Sequence, residues 1–277
     1  MRKVVDYFVP ENPKEALQLL KRHEKARILA GGSGINAEKN GEYSLIDLKE
    51  CGLSYIKAGK SGVRIGAMTT ISEILGHPFS SKLGTFFVHS LATTGHAVVR
   101  NQITIGGSVA SMLPWFNLAT LLLLLEAELK LLGPGGEEKI SFAEYTRKKI
   151  HEYLKNRLIV EVILPSKALG DWSFTRLALT EVDFAPLFVC SRLSWKGKNV
   201  DSVKIAVSGC TTRPMLLPKT AAAFSAGFNE KAADDAGKTA VKELNGKIIS
   251  ANLNFPLEYI VQILPAFIKS NLGGLKC

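Results

Sequence analysis

Two stretches rich in glycine, serine and threonine carry the residue types that could bind a ligand in this chain of 277 residues. The first reads Leu-Ala-Gly-Gly-Ser-Gly-Ile at residues 29–35, and the second reads Thr-Ile-Gly-Gly-Ser at 104–108. Glycine has no Cβ, so backbone N–H groups can come close to a ligand, and successive N–H groups in a turn form a nest for an anion. Each stretch follows an apolar, strand-like run. The pair therefore predicts two loops that close on one pyrophosphate.

The chain lacks the motifs that bring reactive side chains together. It has no H-E-x-x-H, no G-x-x-x-x-G-K-[ST], no G-x-S-x-G and no G-x-G-x-x-G. The histidines are dispersed, with His96 expected to be structural or exposed, and Glu161 and Asp183 are isolated carboxylates expected to be ion-paired or exposed. We therefore predict no catalytic side chain, and any redox chemistry would come from a bound cofactor.

The cysteines and the charge narrow the function further. Cys51, Cys190, Cys210 and Cys277 lie far apart without a C-x-x-C pair, which argues against an iron–sulfur, zinc or disulfide site in this chain alone. The net charge is +10, but the basic residues are scattered and not interleaved with aromatics. This pattern favours a solvated surface that steers anionic ligands or acidic partners over a nucleic-acid interface.

Nothing in the sequence predicts a membrane segment. The longest purely apolar run, residues 118–125, is too short to span a bilayer, and the N-terminus lacks the apolar core of a signal peptide. We therefore expect a cytoplasmic protein without a membrane partner.

Periodicity and capping residues predict the elements that hold the two glycine stretches. Asn12, Pro13 and Glu15 signal a helix start, and Thr70 with Glu73 forms a second capping pair. A boundary is expected at 166–170. Strands are predicted at 4–9, 26–30, 44–48, 54–58, 63–67, 128–132, 158–164, 172–179, 187–195 and 203–208, and helical segments at 13–23, 83–94, 118–126, 140–145, 219–225, 230–245 and 256–269.

Several segments together resemble the FAD-binding (medium) subunits of molybdenum hydroxylases, the xanthine dehydrogenase and carbon monoxide dehydrogenase family. The resemblance covers essentially the whole chain. It rests on Ala-Gly-Gly-Ser at 30–33, Leu-Ile-Asp-Leu at 45–48, Arg-Ile-Gly-Ala-Met-Thr-Thr at 64–70, Val-Arg-Asn-Gln at 99–102 leading into 104–108, and Glu-Val-Ile-Leu-Pro at 161–165.

The resemblance implies a fold of the α+β class. Two α/β subdomains, at about 1–54 and 55–168, would form a PCMH-type FAD-binding domain. Residues 169–277 would form a C-terminal α+β domain with a three-stranded antiparallel sheet and helices.

The resemblance also implies which residues bind FAD, without a covalent bond. Both glycine loops would wrap the FAD diphosphate, while the segment 65–70 packs beside the cofactor or serves only as a hairpin leading into a helix cap. Asn117 stands where many relatives have an aspartate, so it keeps an acceptor oxygen but loses the charge. The implied cofactor-binding residues are Ile28, Leu29, Ala30, Gly31, Gly32, Ser33, Gly34, Ile35, Thr104, Ile105, Gly106, Gly107, Ser108, Asn117, Ile159 and Arg176.

The function implied by the resemblance is electron transfer. A molybdenum-binding large subunit would oxidise the substrate, a small subunit with [2Fe-2S] clusters would relay the electrons, and FAD would pass them to NAD+ or another acceptor. The molybdenum cofactor and the clusters are thus expected only in partner subunits. A stand-alone flavin oxidoreductase of the same superfold, a degenerate non-enzymatic scaffold subunit and a basic nucleic-acid binder are the alternatives.

Overall fold

The computed structural model describes residues 2–34, 41–79, 81–166, 170–196, 199–225, 227–249, 255–273 and 275. Ile35, the last residue of the predicted first loop, and Cys277 lie outside the described residues. The elements in chain order are β1 (Arg2–Phe8), α1 (Pro13–Arg22), β2 (Ala26–Leu29), β3 (Gly41–Asp47), β4 (Ile56–Gly59), β5 (Gly62–Gly66), α2 (Ile71–Gly76), α3 (Lys82–Ala92), α4 (Ala97–Arg100), α5 (Ile105–Ser111), α6 (Asn117–Leu124), β6 (Glu128–Gly133), β7 (Gly136–Ser141), α7 (Phe142–Tyr145), α8 (Ile150–Tyr153), β8 (Leu158–Pro165), β9 (Asp171–Leu177), β10 (Leu187–Lys196), β11 (Asn199–Ser208), β12 (Met215–Leu216), α9 (Pro218–Ala221), α10 (Glu230–Glu243) and α11 (Leu257–Gly273).

The contacts of the chain divide it into two compact units. Unit 1 comprises Met1–Pro78, His96–Ser111 and Glu126–Lys167, whereas unit 2 comprises Phe79–Gly95, Met112–Leu125 and Ala168–Cys277. Two segments from the first half of the chain therefore belong to unit 2, which no sequence pattern indicated. The domain limits expected from the sequence, 1–168 and 169–277, stay predictions.

The N-terminal part of unit 1 is a parallel sheet in the order β1–β3–β2 with α1 beside it. The side-chain oxygen of Asn12 accepts the Glu15 N–H at 3.0 Å, and Pro13 is the first helical residue, as the sequence predicted. Ala16 and Leu17 of α1 bury their side chains in one cluster with Ile46 of β3. This packing fixes the carboxyl end of β2, where the first glycine loop begins.

The rest of unit 1 is built on a five-stranded antiparallel sheet in the order β4–β5–β8–β6–β7. Ile65 of β5 pairs with Val162 of β8, which pairs with Leu129 of β6, and all three side chains are fully buried. The β4–β5 hairpin was predicted from the sequence, but the edge strand β7 was not. The chain leaves β5 directly into the segment that supports the second glycine stretch.

Unit 2 contains an antiparallel sheet in the order β12–β11–β10–β9. The predicted three-stranded meander is confirmed and gains the short fourth strand β12. The side chains of Leu187, Val189, Ala236 and Leu264, from β10, α10 and α11, belong to one buried cluster. The α+β class predicted from the sequence is thereby confirmed.

The described helices include one that is buried along its whole length. All eight residues of α6 are buried, so the helix belongs to the protein interior. Within the described ranges, no helix combines the length and the hydropathy that crossing a membrane requires.

Candidate functional site

The first glycine loop leaves the parallel sheet of unit 1 at the carboxyl end of β2. Leu29 lies beside Asp47 at the end of β3, and the Leu48 N–H donates to the Leu29 carbonyl at 3.0 Å. Gly32 then adopts a φ of +75°, a left-handed conformation that favours glycine. Ligands of open parallel sheets bind at the carboxyl ends of the strands. The loop thus begins where a ligand is expected.

The backbone N–H groups of this loop are available to a ligand. Among the described residues, none of the amides 31–34 donates to another main-chain carbonyl. The side chain of Ser33 is exposed, and Gly31 and Gly32 are half-buried. Neighbouring unpaired N–H groups are the feature by which a backbone nest binds an anion. These amides are therefore the groups in unit 1 that could hold a phosphate.

The two glycine stretches lie against each other within unit 1. A Cβ at Gly31 would lie 1.4 Å from the carbonyl oxygen of Gln102, so this position requires glycine. A Cβ at Gly107 would lie 4.0 Å from the Cβ of Ala30. The loop after β2 and the start of α5 thus form one surface, which is the juxtaposition that two loops on one pyrophosphate would need.

The second stretch is the first turn of a helix and not a loop, which corrects the expectation from the sequence. Thr104 forms an isolated bridge with Thr70, and α5 begins at the next residue. The Thr104 hydroxyl accepts the Gly107 N–H at 3.1 Å, and the Thr104 carbonyl accepts the Ser108 N–H at 3.0 Å. This side-chain bond is of the N-cap type, and it starts the helix despite the two glycines.

The backbone N–H groups of the second stretch are used inside the protein, which corrects the expected nest. The Ile105 N–H donates to the Thr69 carbonyl and the Gly106 N–H to the Ala67 carbonyl, both at 2.9 Å. A Cβ at Gly106 would lie 2.6 Å from the Cβ of Ala67. Gly106 therefore allows α5 to pack closely on the segment after β5, and the stretch can contribute to a ligand site through shape and not through open amides.

A hydrogen-bonded polar cluster supports the segment on which α5 packs. The Thr69 hydroxyl accepts the Tyr55 N–H and donates to the Tyr55 carbonyl, both at 3.0 Å. The Tyr55 hydroxyl donates to Glu161 at 2.7 Å, and Arg64 Nε donates to the same carboxylate oxygen at 2.9 Å. Burial, followed by the bond to Glu161, raises the pKa of Tyr55 to about 12. The predicted ion pairing of Glu161 is confirmed.

Two of the remaining predicted site residues lie in strands of different units. Ile159 is in β8 of unit 1 and is 7% exposed. Arg176 is in β9 of unit 2, where its guanidinium donates to the carbonyls of Thr180 at 3.2 Å, of Glu181 at 2.7 Å, and of Asp183. Burial lowers the pKa of Arg176. The guanidinium thus holds a turn of its own unit, and cofactor contact by either residue stays a prediction.

Asn117 is the first residue of α6 in unit 2 and is 4% exposed. Its Nδ2 lies 3.5 Å from the Thr93 hydroxyl, while its Oδ1 is buried without a hydrogen-bond partner in the described part of the chain. A buried polar atom without a partner costs about 1–3 kcal/mol. Asn117 therefore has the unmet hydrogen-bonding capacity expected of a ligand contact, and its role stays a prediction.

The other reactive side chains offer less to a ligand. Within the described ranges, no group of histidine, cysteine, aspartate or glutamate residues could hold a metal ion. Cys51, Cys190 and Cys210 are buried, and burial raises the pKa of each thiol. His96 is exposed at the start of α4. The paired glycine stretches thus carry the clearest ligand chemistry in unit 1.

Several residues that shape this surface were not singled out from the sequence. Gln102 acts through its main-chain carbonyl, so its side chain gave no signal. Thr69 lies in the segment that carried the family resemblance, and Tyr55 lies near it. Only the fold shows that the Thr69 hydroxyl forms hydrogen bonds with the main chain of Tyr55. In unit 2, Thr94 has a buried hydroxyl without a partner among the described residues, and no sequence pattern singled it out.

Known proteins are similar to this chain over most of its length. Residues 3–167 match the family described as the FAD binding domain in molybdopterin dehydrogenase. The chain is 24% identical to the glyceraldehyde dehydrogenase medium chain of Sulfolobus acidocaldarius, over 75% of this chain and 76% of that protein. It is 26% identical to the carbon monoxide dehydrogenase medium chain of Hydrogenophaga pseudoflava, over 73% of this chain and 74% of that protein.

Solved structures share the fold over nearly the full length. Carbon monoxide dehydrogenase from Hydrogenophaga pseudoflava superposes with a TM-score of 0.87 at 23% identity, covering 99% of this chain and 98% of the other. Quinoline 2-oxidoreductase from Pseudomonas putida superposes with a TM-score of 0.85 at 21% identity, covering 98% and 96%.

Proposed function

The chain belongs to the family of FAD-binding domains in molybdopterin dehydrogenases, and from this membership we propose that it is the electron-transfer flavoprotein subunit of a molybdenum hydroxylase. It would accept electrons from an iron–sulfur subunit and pass them to NAD+ or another acceptor. One observation carries the proposal: the unpaired amides of the first glycine loop lie on a surface shared with the start of α5, where Gly31 touches Gln102.

The first glycine loop would hold the FAD diphosphate by its backbone. The amides 31–34 have no main-chain acceptor among the described residues, and phosphate oxygens are strong acceptors. The left-handed φ of Gly32 aims successive N–H groups toward one side. Ile28, Leu29 and Ala30 lead into the loop, and we assign Ser33 to the same ligand.

The start of α5 would act as the wall of the site. Its N–H groups already donate to Thr69, Ala67 and Thr104. Thr104, Ile105 and Ser108 would therefore shape the surface that FAD contacts and would not donate N–H groups to it. Gly107 would keep that surface free of a side chain, while Gly106 lets α5 pack closely on Ala67. When bound, FAD supplies the redox chemistry, because it can take up electrons singly and release them as a pair. The chain supplies binding, position and exclusion of water.

The partner assignment follows from what the chain lacks and from its relatives. The matched family is that of molybdopterin dehydrogenases, and two relatives are named medium chains. We therefore assign the molybdenum cofactor to a large subunit and the iron–sulfur clusters to a small subunit. A net charge of +10 would favour association with acidic partner surfaces. The cytoplasmic location stays a prediction.

Cofactor binding and electron transfer can be tested separately. The purified chain should show a flavin absorbance spectrum, and denaturation should release FAD and no FMN. A folded chain that fails to bind added FAD would overturn the proposal, because every later step requires the bound cofactor.

The electron-transfer role needs the complete assembly. Coexpression with the genes that neighbour its own should copurify molybdenum and iron–sulfur subunits, and substrate should then reduce NAD+ or an artificial acceptor. FAD binding without any copurifying subunit, together with activity of the isolated chain, would favour the stand-alone flavin oxidoreductase instead.

A further inference from the structure

One surface segment of unit 1 is rich in basic side chains. Residues 147–157, which include α8, contain five lysines and arginines, one histidine and a single acidic residue, Glu152. We call these residues the basic segment. Four of its basic side chains are exposed, namely Arg147, Lys149, His151 and Lys155. The basic segment thus concentrates positive charge within a short length of chain.

The main chain of the basic segment is fixed by hydrogen bonds and packing within unit 1. The Tyr153 N–H donates to the Lys149 carbonyl at 2.9 Å, and the Leu154 N–H donates to the Ile150 carbonyl at 2.8 Å. The side chain of Ile150 is 6% exposed, so it anchors this turn of helix in the protein. The basic side chains are therefore attached to a backbone of defined shape.

Two of the cations are held in place by glutamates and by an aromatic ring. Lys148 Nζ lies 2.9 Å from the Glu144 carboxylate, and Arg157 Nε lies 2.5 Å from the Glu138 carboxylate. Lys148 and Arg157 also lie over the Tyr153 ring, at 5.7 Å and 4.6 Å from its centroid. Cations that are already ordered lose less conformational freedom when a partner binds.

The glutamates around the basic segment do not balance its charge. Lys149 lies 3.3 Å from Glu152, but both side chains are largely exposed, and such pairs contribute little. Among the described residues, Arg147 and Lys155 have no acidic partner within ion-pair distance. The five lysines and arginines therefore exceed the three contacting glutamates by two positive charges.

Tyr145 ties the basic segment to the helix that borders the candidate site. Its side chain is fully buried, and its hydroxyl donates to the Val109 carbonyl of α5 at 3.2 Å. The same helix begins with the second glycine stretch, which lies against the first glycine loop. A protein bound at the basic segment would therefore lie close to the helix that forms the wall of the proposed FAD site.

The aromatic side chains of this region are not open for stacking on nucleic-acid bases. Tyr145 is fully buried, and Tyr153 is half-buried with Lys148 and Arg157 over its ring. Surfaces that bind single-stranded nucleic acid combine basic side chains with open aromatic rings. The basic segment therefore suits an acidic protein surface better than a nucleic acid.

We propose that the basic segment docks an acidic surface of the protein that delivers electrons to the flavin. This inference rests on the proposed function, in which that partner is the iron–sulfur subunit. Complementary charge steers such an encounter and fixes its register, and salt weakens it. The ordered Lys148 and Arg157 give the positive surface a fixed form, while Arg147 and Lys155 supply charge that no described carboxylate neutralises.

The decisive variant reverses two charges, Arg147→Glu together with Lys155→Glu. The full chain is tagged and coexpressed with the genes that neighbour its own, and the immobilised complex is washed with increasing sodium chloride. The salt concentration that releases half of the copurified iron should fall at least about twofold in the double variant. Because both side chains are exposed, the melting temperature and the FAD dissociation constant of the chain should stay at their wild-type values.

Lys231→Glu together with Lys238→Glu is the matched control. Both lysines are exposed in α10 of unit 2, so this variant changes the net charge by the same amount at another place. Its iron should be released at the wild-type salt concentration. Arg147→Lys together with Lys155→Arg keeps both charges and should also behave as the wild type.

Each result decides the inference. Equal salt dependence in the wild type and in the Arg147 and Lys155 double variant would overturn the docking surface and leave the proposed function intact. An equal fall in both charge-reversed variants would trace the effect to net charge and would also overturn the docking surface. Weaker binding of DNA by the Arg147 and Lys155 double variant, with iron retained as in the wild type, would identify a nucleic-acid surface instead. A wild-type chain that copurifies no iron would overturn the iron–sulfur partner of the proposed function, and this inference with it.

Discussion

The two glycine stretches of unit 1 share a Gly-Gly-Ser core but differ in what their backbones do. In the first, the amides 31–34 have no main-chain acceptor among the described residues, and Gly32 has a positive φ. In the second, the amides of Ile105, Gly106, Gly107 and Ser108 all donate within the protein. One stretch offers donors to a ligand, whereas the other completes the fold that holds those donors in place.

The difference shows that a glycine pair does not by itself define a phosphate site. Gly31 is required by the Gln102 carbonyl, and Gly106 is required by Ala67, so both are packing requirements. One difference lies two residues before each pair. Leu29 offers no side-chain acceptor to the amides that follow it, whereas the Thr104 hydroxyl caps a helix and accepts the Gly107 N–H.

The largest expected effect is that of Gly31→Ala. The new Cβ would lie 1.4 Å from the Gln102 oxygen, and because that atom belongs to the main chain, one of the two segments must move. We expect FAD affinity to fall by at least about 100-fold, with a loss of about 2–3 kcal/mol in the free energy of unfolding. Isothermal titration with FAD and denaturant unfolding measure the two effects.

Gly34→Ala is the control from the same loop. A Cβ at Gly34 would meet no described atom within 4 Å, so the stability of the FAD-free protein should change by less than about 0.5 kcal/mol. If Gly31→Ala bound FAD as tightly as the wild type, the shared surface would have no part in binding.

The second effect in size is that of Gly106→Ala. Its Cβ would lie 2.6 Å from the Cβ of Ala67 and 2.8 Å from the Ala67 oxygen, so α5 must move away from its support. We expect a loss of about 1–3 kcal/mol in stability and a smaller loss of FAD affinity than in Gly31→Ala. Adding Ala67→Gly should restore part of the stability, because it removes one of the two clashing atoms.

Gly107→Ala sharpens this result within the same helical turn. Its Cβ would closely meet only the Thr104 hydroxyl, at 2.9 Å, and alanine favours a helix over glycine by roughly 0.5–1 kcal/mol. Gly107→Ala should therefore cost less stability than Gly106→Ala, because this gain offsets the shift that the new Cβ forces on the Thr104 cap. Equal damage to stability from both alanine variants would contradict the close packing assigned to Gly106.

Much of the fold could be predicted because local signals and packing agree. Asn12, Pro13 and Glu15 mark the start of α1, and Thr70 with Glu73 marks the start of α2, both as predicted. The apolar strands were also recognised. In contrast, β7 carries Gly-Glu-Glu-Lys-Ile-Ser and lies at a sheet edge. Edge strands tolerate charge, so this strand has no apolar pattern to reveal it.

The site could be predicted only in part. The two glycine stretches were named, but their different roles depend on tertiary hydrogen bonds to Ala67 and Thr69 that no local pattern encodes. The glycine pair also hid the helix α5, because glycine lowers helix propensity, while the Thr104 cap that overrides it is a single hydroxyl.

The smallest expected effect is a loss of protein stability at low pH, which arises at a carboxylate next to the second stretch. Glu73 accepts the Thr70 N–H at 2.6 Å and the Thr70 hydroxyl at 2.8 Å, and Thr70 forms a bridge with Thr104. Burial raises the pKa of Glu73, but the bonds from Thr70 and Ser54 outweigh it and leave the pKa lowered. This contribution to stability is therefore present above about pH 4.3, the usual value for an unfolded glutamate, and is lost as the pH falls through the folded value.

Glu73→Gln tests whether acid acts on the second stretch through this carboxylate. Glutamine can still accept in a capping box, so the loss at pH 7 should be about 0.5 kcal/mol, in keeping with an exposed cap. The variant should lose stability less steeply than the wild type between about pH 5 and pH 3, as measured by urea unfolding at each pH. If the stability of both proteins fell identically with pH, the Glu73 carboxylate would not contribute to the support of α5. The difference between the two stretches would then rest on packing at Gly106 and on the Thr104 cap alone.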